Sequence, residues 1–190
     1  MAGTAAHRGR EVRRRLVTAA RELVPERGWA AVSTRTVAER AGVAPGLVHY
    51  HFASLQALLT EAAVGAMREM AGNVDVLLQR AGSPVELVDL LVAELDRYTG
   101  TDPASLLATE TYLAATRDPD LRQALTAVLV DFRRRIAHWL HGHGVPEPDD
   151  TAAVLAAAVD GVLLHRALSP LPGGAVAAVL HRIVREGAQR

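Results

Sequence analysis

Two Asp-Pro pairs, Asp102-Pro103 and Asp118-Pro119, set the firmest limits on how this chain folds. An aspartate accepts hydrogen bonds from the free amides of a helix's first turn, and proline fits that turn because its missing N–H is not needed there. After each pair, apolar residues recur at three- and four-residue spacing. The first stripe is Leu106, Leu107, Leu113 and Ala114; the second is Leu121, Leu125, Val128, Leu129, Phe132, Ile136 and Trp139. Two amphipathic helices are thus expected from about Asp102 and Asp118.

The same period runs through nearly the whole chain, and no segment alternates as a strand does. A first helix is expected from Arg10, with Val12, Leu16, Ala19, Ala20, Leu23 and Val24 inward, ending at Gly28 in a left-handed cap. Ser33 caps a short second helix with Val37, Ala38 and Ala41 inward, closed by Gly42. Pro45 opens a third helix through His51, and Ser54 caps a fourth through Leu58, Leu59, Ala62, Ala66 and Met70. Pro84 begins a fifth, and after the two Asp-Pro helices a turn over 142–148 leads to helices over about 150–168 and 174–186. The expected fold is all-α, with about nine helices.

Composition narrows the function. The 190 residues include no cysteine, which excludes disulfides, thiolate chemistry and cysteine zinc sites, and every basic residue other than histidine is arginine. The net charge is zero, yet residues 1–53 hold nine arginines against four acids, and residues 54–190 hold twelve against seventeen. A basic head on an acidic body suits a nucleic-acid binder with a separate regulatory part. The expected division is a DNA-binding domain over 1–53 and a second domain over 54–190. No apolar run reaches the roughly 20 residues that span a bilayer, and Met1 to Arg15 carries five arginines and no apolar core, so no membrane and no signal peptide are expected. A cytoplasmic location is the default.

Thr34 to Ala41, Gly42-Val43-Ala44 and Pro45 to His51 read as helix, turn, helix. Ala38 and Ala41 let the two helices cross closely, Gly42 makes the turn, and Val43 fills the space between them. The outer face of the second helix is then free to enter a major groove. The run Thr34-Arg35-Thr36-Val37-Ala38-Glu39-Arg40-Ala41-Gly42-Val43, with Gly46-Leu47-Val48-His49-Tyr50-His51-Phe52, flanked by Gly28-Trp29, Ser54 and Leu58-Leu59, resembles the TetR family of transcriptional regulators. The resemblance covers residues 10–60; beyond them only the helical layout agrees.

That resemblance implies a homodimer on double-stranded operator DNA, with recognition helices one turn apart, roughly 34–36 Å. Ser33, Thr34 and Arg35 fall where the family meets the backbone and at times a base. Pro45, Gly46 and Leu47 form the leading tip of the recognition helix, followed by His49, Tyr50 and His51, with Tyr50 and His51 near phosphates. Arg35 is the candidate for a bidentate guanine contact, against a phosphate clamp or surface ion pair; Tyr50 reads as a phosphate contact or a packed ring. Phe52 reads as core. His49 stands where the family more often has tyrosine, and Leu55 where a lysine commonly meets the backbone. Losing that cation removes about one phosphate contact, which Arg8, Arg10, Arg13, Arg14 and Arg15 are placed to replace as a basic arm.

In the body, the family resemblance implies a small-molecule pocket and a dimer interface made by the last two helices. Val154, Leu155, Ala158, Gly161, Val162 and His165, then Val176, Val179, Leu180, Ile183 and Val184, supply stripes for that interface or for the monomer's own core. Glu110 shares a face with Leu106, Leu113 and Ala114, so its carboxylate must find an ion pair or a ligand. Met67, Met70, Glu94, Tyr98, Tyr112, Phe132, Trp139 and His165 join it as candidate ligand-lining residues. His138, His141 and His143 read as cations at a helix C-terminus rather than as metal ligands, and neither metal nor cofactor is expected.

An enzyme is disfavoured because the chain has no Gly-rich phosphate loop and no Gly-x-Ser-x-Gly elbow. The reading is a ligand-responsive repressor released from its operator by a small molecule. A DNA-binding architectural protein without a ligand is the alternative.

Overall fold

The computed structural model describes residues 2–186, with side chains over 6–185. Its elements are α1 (Ala2–Arg27), a 3₁₀ turn (Trp29–Ala31), α2 (Thr34–Ala41), α3 (Gly46–His51), α4 (Leu55–Gly72), α5 (Val74–Arg80), α6 (Pro84–Leu95), α7 (Pro103–Ala115), α8 (Pro119–Gly142), α9 (Pro148–Arg166) and α10 (Gly173–Glu186). No strand occurs among the described residues. The all-α expectation holds, and each of the nine expected helices is present. The addition is α5, whose N-cap Asn73 makes no side-chain capping bond, so no sequence signal marks its start. Helix α1 also begins well before Arg10.

The helix starts follow the capping chemistry. Ser33 and Thr36 exchange bonds in a capping box at α2. Ser83 Oγ accepts from the Glu86 amide at 3.2 Å, and Asp118 Oδ1 accepts from the Leu121 amide at 2.9 Å. Asp102 accepts from the Thr99 amide at 2.7 Å, the Ser105 amide at 3.0 Å and the Ser105 hydroxyl at 2.6 Å. Partial burial pushes the Asp102 carboxyl upward, but the bonds from Ser105 and Thr99 outweigh it and hold it at about 2.

The chain forms two compact units: residues 1–67 with 106–125, and residues 68–105 with 126–190. The first is organised around Leu16, Ala20 and Leu23 of α1, Val37 and Ala38 of α2, Val48 of α3, and Leu58 and Leu59 of α4. Leu107 of α7 belongs to the same core. The second is built on Leu87, Val88 and Leu91 of α6, Ile136 and Leu140 of α8, Leu155 of α9, and Leu180 and Val184 of α10. The head expected from sequence, residues 1–53, therefore shares its packing unit with half of α4 and with the α7–α8 turn.

The stripe expected on α7 is shifted. Leu107, Ala108, Thr111 and Ala115 are buried, and Leu113 is 51% exposed. Thr111 is tolerated inside because its hydroxyl donates to the Leu107 carbonyl at 2.6 Å. Gly28 departs as well: its φ of 78° is positive as expected, but its ψ of 153° lies outside the left-handed helical region.

Gly100 is the most demanding backbone position in the second unit. Its φ is +83°, and a Cβ there would lie 2.4 Å from the Ala167 amide nitrogen. Neither strain nor clash is relieved by a side-chain rotation, because the obstacle is backbone. Gly100→Ala is expected to destabilise the protein by about 2 kcal/mol or more in urea titration; a loss under about 0.5 kcal/mol contradicts this geometry.

Candidate nucleic-acid interface and ligand-binding body

The motif is assembled from a turn that only a few residue types permit. Gly42 sits at φ 63°, ψ 42°, and its amide bonds back to the Ala38 and Glu39 carbonyls. The Val43 amide reaches the Ala38 carbonyl at 3.0 Å, completing the helix end. Arg15 of α1 donates to the Ala41 carbonyl and, at 3.0 Å, to the Gly42 carbonyl. A guanidinium thus neutralises the negative end of α2 and ties α1 to the turn. A Cβ on Gly42 would meet this guanidinium at 2.7 Å.

Helix α3 buries one side chain, Val48. Pro45, Gly46, His49 and Tyr50 are exposed, and Leu47 and His51 are half-buried. Tyr50 is 80% exposed, which removes the packed-ring reading; its only ring contact is an edge-on one with His51, centroids 5.0 Å apart. Phe52 is buried at 6%, as expected of core, with the Arg13 guanidinium 4.8 Å above its ring. Ser33 and Arg35 are exposed and Thr34 half-buried at the start of α2. Arg35 Nε donates to Glu39 Oε1 at 2.8 Å, a fully solvated pair of the kind worth little. Leu55 is half-buried against the core of the first unit.

The basic arm is not an arm. Arg8 to Arg15 lie within α1, and three of these arginines are engaged inside the protein. Arg13 pairs with Glu61, Arg14 with Glu11 at 2.6 Å, and Arg15 with the turn. Arg40 likewise bridges to Glu22 at 3.2 Å and Glu26 at 2.6 Å, holding α2 to α1. The positive surplus of the head is therefore spent largely on positioning its own helices.

Glu110 resolves differently from both sequence readings. Its Oε2 accepts the Trp29 amide at 2.7 Å, and its carboxylate lies 3.7 Å from where a Gly28 Cβ would stand. The carboxylate caps the 3₁₀ turn that leads into the motif. Beside it, the Trp29 indole N–H reaches Gln56 at 3.4 Å, and the Gln56 amide donates to Asp118 at 2.5 Å. No local spacing foretells these contacts, since Trp29 and Glu110 are 81 positions apart.

The other candidate ligand residues are dispersed. Met67 is buried and Met70 half-buried on α4. Glu94 pairs with Arg97 at 3.0 Å and accepts from Asn73 at 3.2 Å. Tyr98 and Tyr112 are half-buried. Burial, followed by the Glu94 charge, raises the Tyr98 hydroxyl above the ordinary tyrosine range. Phe132, Trp139 and His165 line three separate concavities of the second unit. His143 stacks on Trp139 at 3.6 Å and bonds its carbonyl at 2.8 Å, while His138 and His141 are exposed.

Helices α9 and α10 split their stripes. Leu155, Val162, Leu180 and Val184 turn inward, whereas Val154, Leu164, Leu168, Leu171 and Val179 are between 46% and 85% exposed. An apolar groove between the two helices is lined by Ala158, Gly161, His165, Leu171, Ala175 and Val179 among others.

Comparison with known proteins bears on both parts of the chain. A family described as bacterial regulatory proteins, tetR family, matches residues 16–62, and a tetracyclin repressor-like C-terminal domain matches residues 82–186. The HTH-type transcriptional regulator BetI of Agrobacterium fabrum is 30% identical over 174 residues, covering 87% of this chain and 82% of BetI. A transcriptional regulator of Streptomyces coelicolor A3(2) superposes with a TM-score of 0.76 at 29% identity, over 92% of this chain and 99% of that one. The multidrug binding protein EbrR, crystallised with imidazole, superposes at 0.68 with 32% identity over 90% and 94% of the two chains; its malachite green complex gives 0.65 and 29% over 90% and 97%.

Replacing Glu110 by leucine strips the Trp29 amide of its acceptor. The expected cost is about 1–3 kcal/mol, with faster hydrogen exchange at the Trp29 amide, and Glu110→Gln recovers most of it. An unchanged exchange rate in Glu110→Leu sinks the capping role.

Proposed function

Because the chain belongs to the TetR family of bacterial regulatory proteins, we propose that it is a ligand-responsive repressor: a homodimer that holds an operator and leaves it when a small molecule binds the body. The protein is a DNA-binding transcriptional regulator rather than an enzyme. Residues 1–53 are the reading head and residues 54–190 the regulatory body. No helix among the described residues is long and apolar enough to cross a membrane, in keeping with work in the cytoplasm.

The observation that carries the DNA-binding reading is the free outer face of α3, with Pro45, Gly46, His49 and Tyr50 exposed around a single buried anchor, Val48. Leu47 and the tip offer apolar contact to a thymine methyl, Tyr50 and His51 reach phosphates, and Ser33 and Thr34 meet the backbone beside Arg35. Arg35 is held only by an exposed i,i+4 pair, so it can exchange Glu39 for a guanine edge at small cost. Dimerisation uses the apolar surface of α9 and α10, because Leu164 and Val179 are exposed there without a partner in the monomer. EbrR, a multidrug binding protein crystallised with small molecules, supports the ligand-responsive part. Ligand binding acts by favouring dimers whose heads no longer fit the two half-sites.

The test is fluorescence anisotropy with the DNA immediately upstream of the gene, across a salt series. Wild type is expected to bind with a Kd on the order of 10⁻⁸ M or tighter, and Arg35→Ala with Tyr50→Ala to weaken it by about tenfold or more. Binding that is weak and indifferent to both changes refutes the assignment. The interface has its own check by light scattering. Leu164→Arg with Val179→Glu is expected to convert a dimer into a monomer that keeps its helical circular dichroism; a double variant that remains dimeric places the interface elsewhere.

A further inference from the structure

Arg133 lies on the inward stripe of α8. One turn on, Ile136, Ala137 and Leu140 are buried in the core of the second unit, and Val128 is buried before it. Leu129, Phe132 and Arg133 share that stripe by three- and four-residue spacing, yet all three are only half-buried. The apolar face of the helix is thus left uncovered over about one turn, and a guanidinium stands in the gap.

That guanidinium is the anomaly of the second unit. Its Nε is buried and has no hydrogen-bond partner among the described residues. The unit's other half-buried arginines are neutralised: Arg135 pairs with Asp75 at 2.7 Å and with Asp131, and Arg166 pairs with Asp96 at 2.9 Å and bonds the Tyr98 carbonyl at 3.0 Å. Asp131, the acid nearest Arg133 in sequence, is held by Arg134 and Arg135. Arginine stays charged at any ordinary pH, and a buried donor left unbonded is costly, so an apolar side chain would serve the fold better at this position. The charge is explained if an anion completes the site.

We propose that Arg133 binds the carboxylate of a small amphipathic organic acid, an aryl or short alkyl carboxylate, and that this anion is the effector. The inference rests on the ligand-responsive reading above and names its ligand class. The fork of Nε and one Nη matches a carboxylate's two oxygens, and the bond that forms satisfies the buried Nε. Leu129 and Phe132, the uncovered apolar neighbours, take the hydrocarbon part. A single guanidinium flanked by apolar side chains suits a monoanion with a greasy body better than a phosphate.

The experiment uses the full chain, wild type and Arg133→Met, with benzoate, phenylacetate and octanoate as probes and benzamide and benzylamine as neutral and cationic controls. Melting temperature, titration calorimetry and release of the upstream DNA are read together. At least one carboxylate is expected to bind wild type, raise its melting temperature and release DNA, while benzamide does not; binding falls at least tenfold in Arg133→Met. Without any probe, Arg133→Met is expected to melt about 2–4 °C above wild type, as relief of an unbonded buried group in a chain of this size implies. A ligand-free Arg133→Met that melts lower shows that Arg133 has a structural role and overturns the proposal. So does carboxylate binding of equal strength in both proteins, or the absence of any carboxylate binding to wild type. Release of DNA by benzylamine alone removes this inference and leaves the regulator reading standing; DNA that is never bound removes the regulator reading instead.

Discussion

A helix of six residues has no stability of its own, so everything the head does depends on how α3 is held. Its single buried side chain, Val48, fixes one face, and the left-handed Gly42 fixes its direction relative to α2. Arg15 then closes the arrangement by donating to the two carbonyls at the turn. These three devices work together: the glycine leaves room for the guanidinium, and the guanidinium satisfies carbonyls that the end of α2 leaves open. The outer face of α3 is exposed because its inner face has been reduced to the least that will anchor it.

This arrangement changes how the charge of the head should be understood. The surplus of arginine over acid in residues 1–53 reads as an electrostatic footprint for nucleic acid, yet Arg13, Arg15 and Arg40 hold α1 to α4, to the turn and to α2. Arg35 differs in kind, since its only partner, Glu39, is a solvated neighbour on the same helix. Structural and DNA-facing arginines are thus told apart by the distance of their partners in sequence. Long-range partners belong to the fold; a short-range, exposed partner can be exchanged.

The helical layout was legible because its signals are local. Ser33, Ser83, Asp102 and Asp118 cap the helices they were expected to cap, and the helix-turn-helix could be placed residue by residue. What escaped was either unsignalled or non-local. Helix α5 begins at Asn73 without a capping bond, and α7 turns Leu113 outward because Thr111 can satisfy its hydroxyl on the Leu107 carbonyl and so occupy the inside. The partner of Glu110 is a backbone amide, which sequence spacing does not reveal. The spread of the nine candidate ligand residues over separate surroundings has the same origin, since an aromatic or methionine at helical spacing is equally at home in a core.

Glu110 and Arg133 show why a charged residue on an apolar stripe is a question rather than an answer. Both interrupt hydrophobic patterns on long helices, and by periodicity alone they are equivalent. The structure separates them by satisfaction: Glu110 has the Trp29 amide, whereas the Nε of Arg133 has nothing. A charge with an internal partner stabilises one arrangement of the chain, and Glu110 does so for the turn that leads into the helix-turn-helix. A charge without one raises the energy of the ligand-free protein and lowers it again when a counter-charge arrives, which is the differential affinity that a switch requires. Asp118, joined through Gln56 to Trp29, and Arg133 belong to one helix, α8. The satisfied network beside the motif and the unsatisfied guanidinium in the body are therefore carried on a single continuous element.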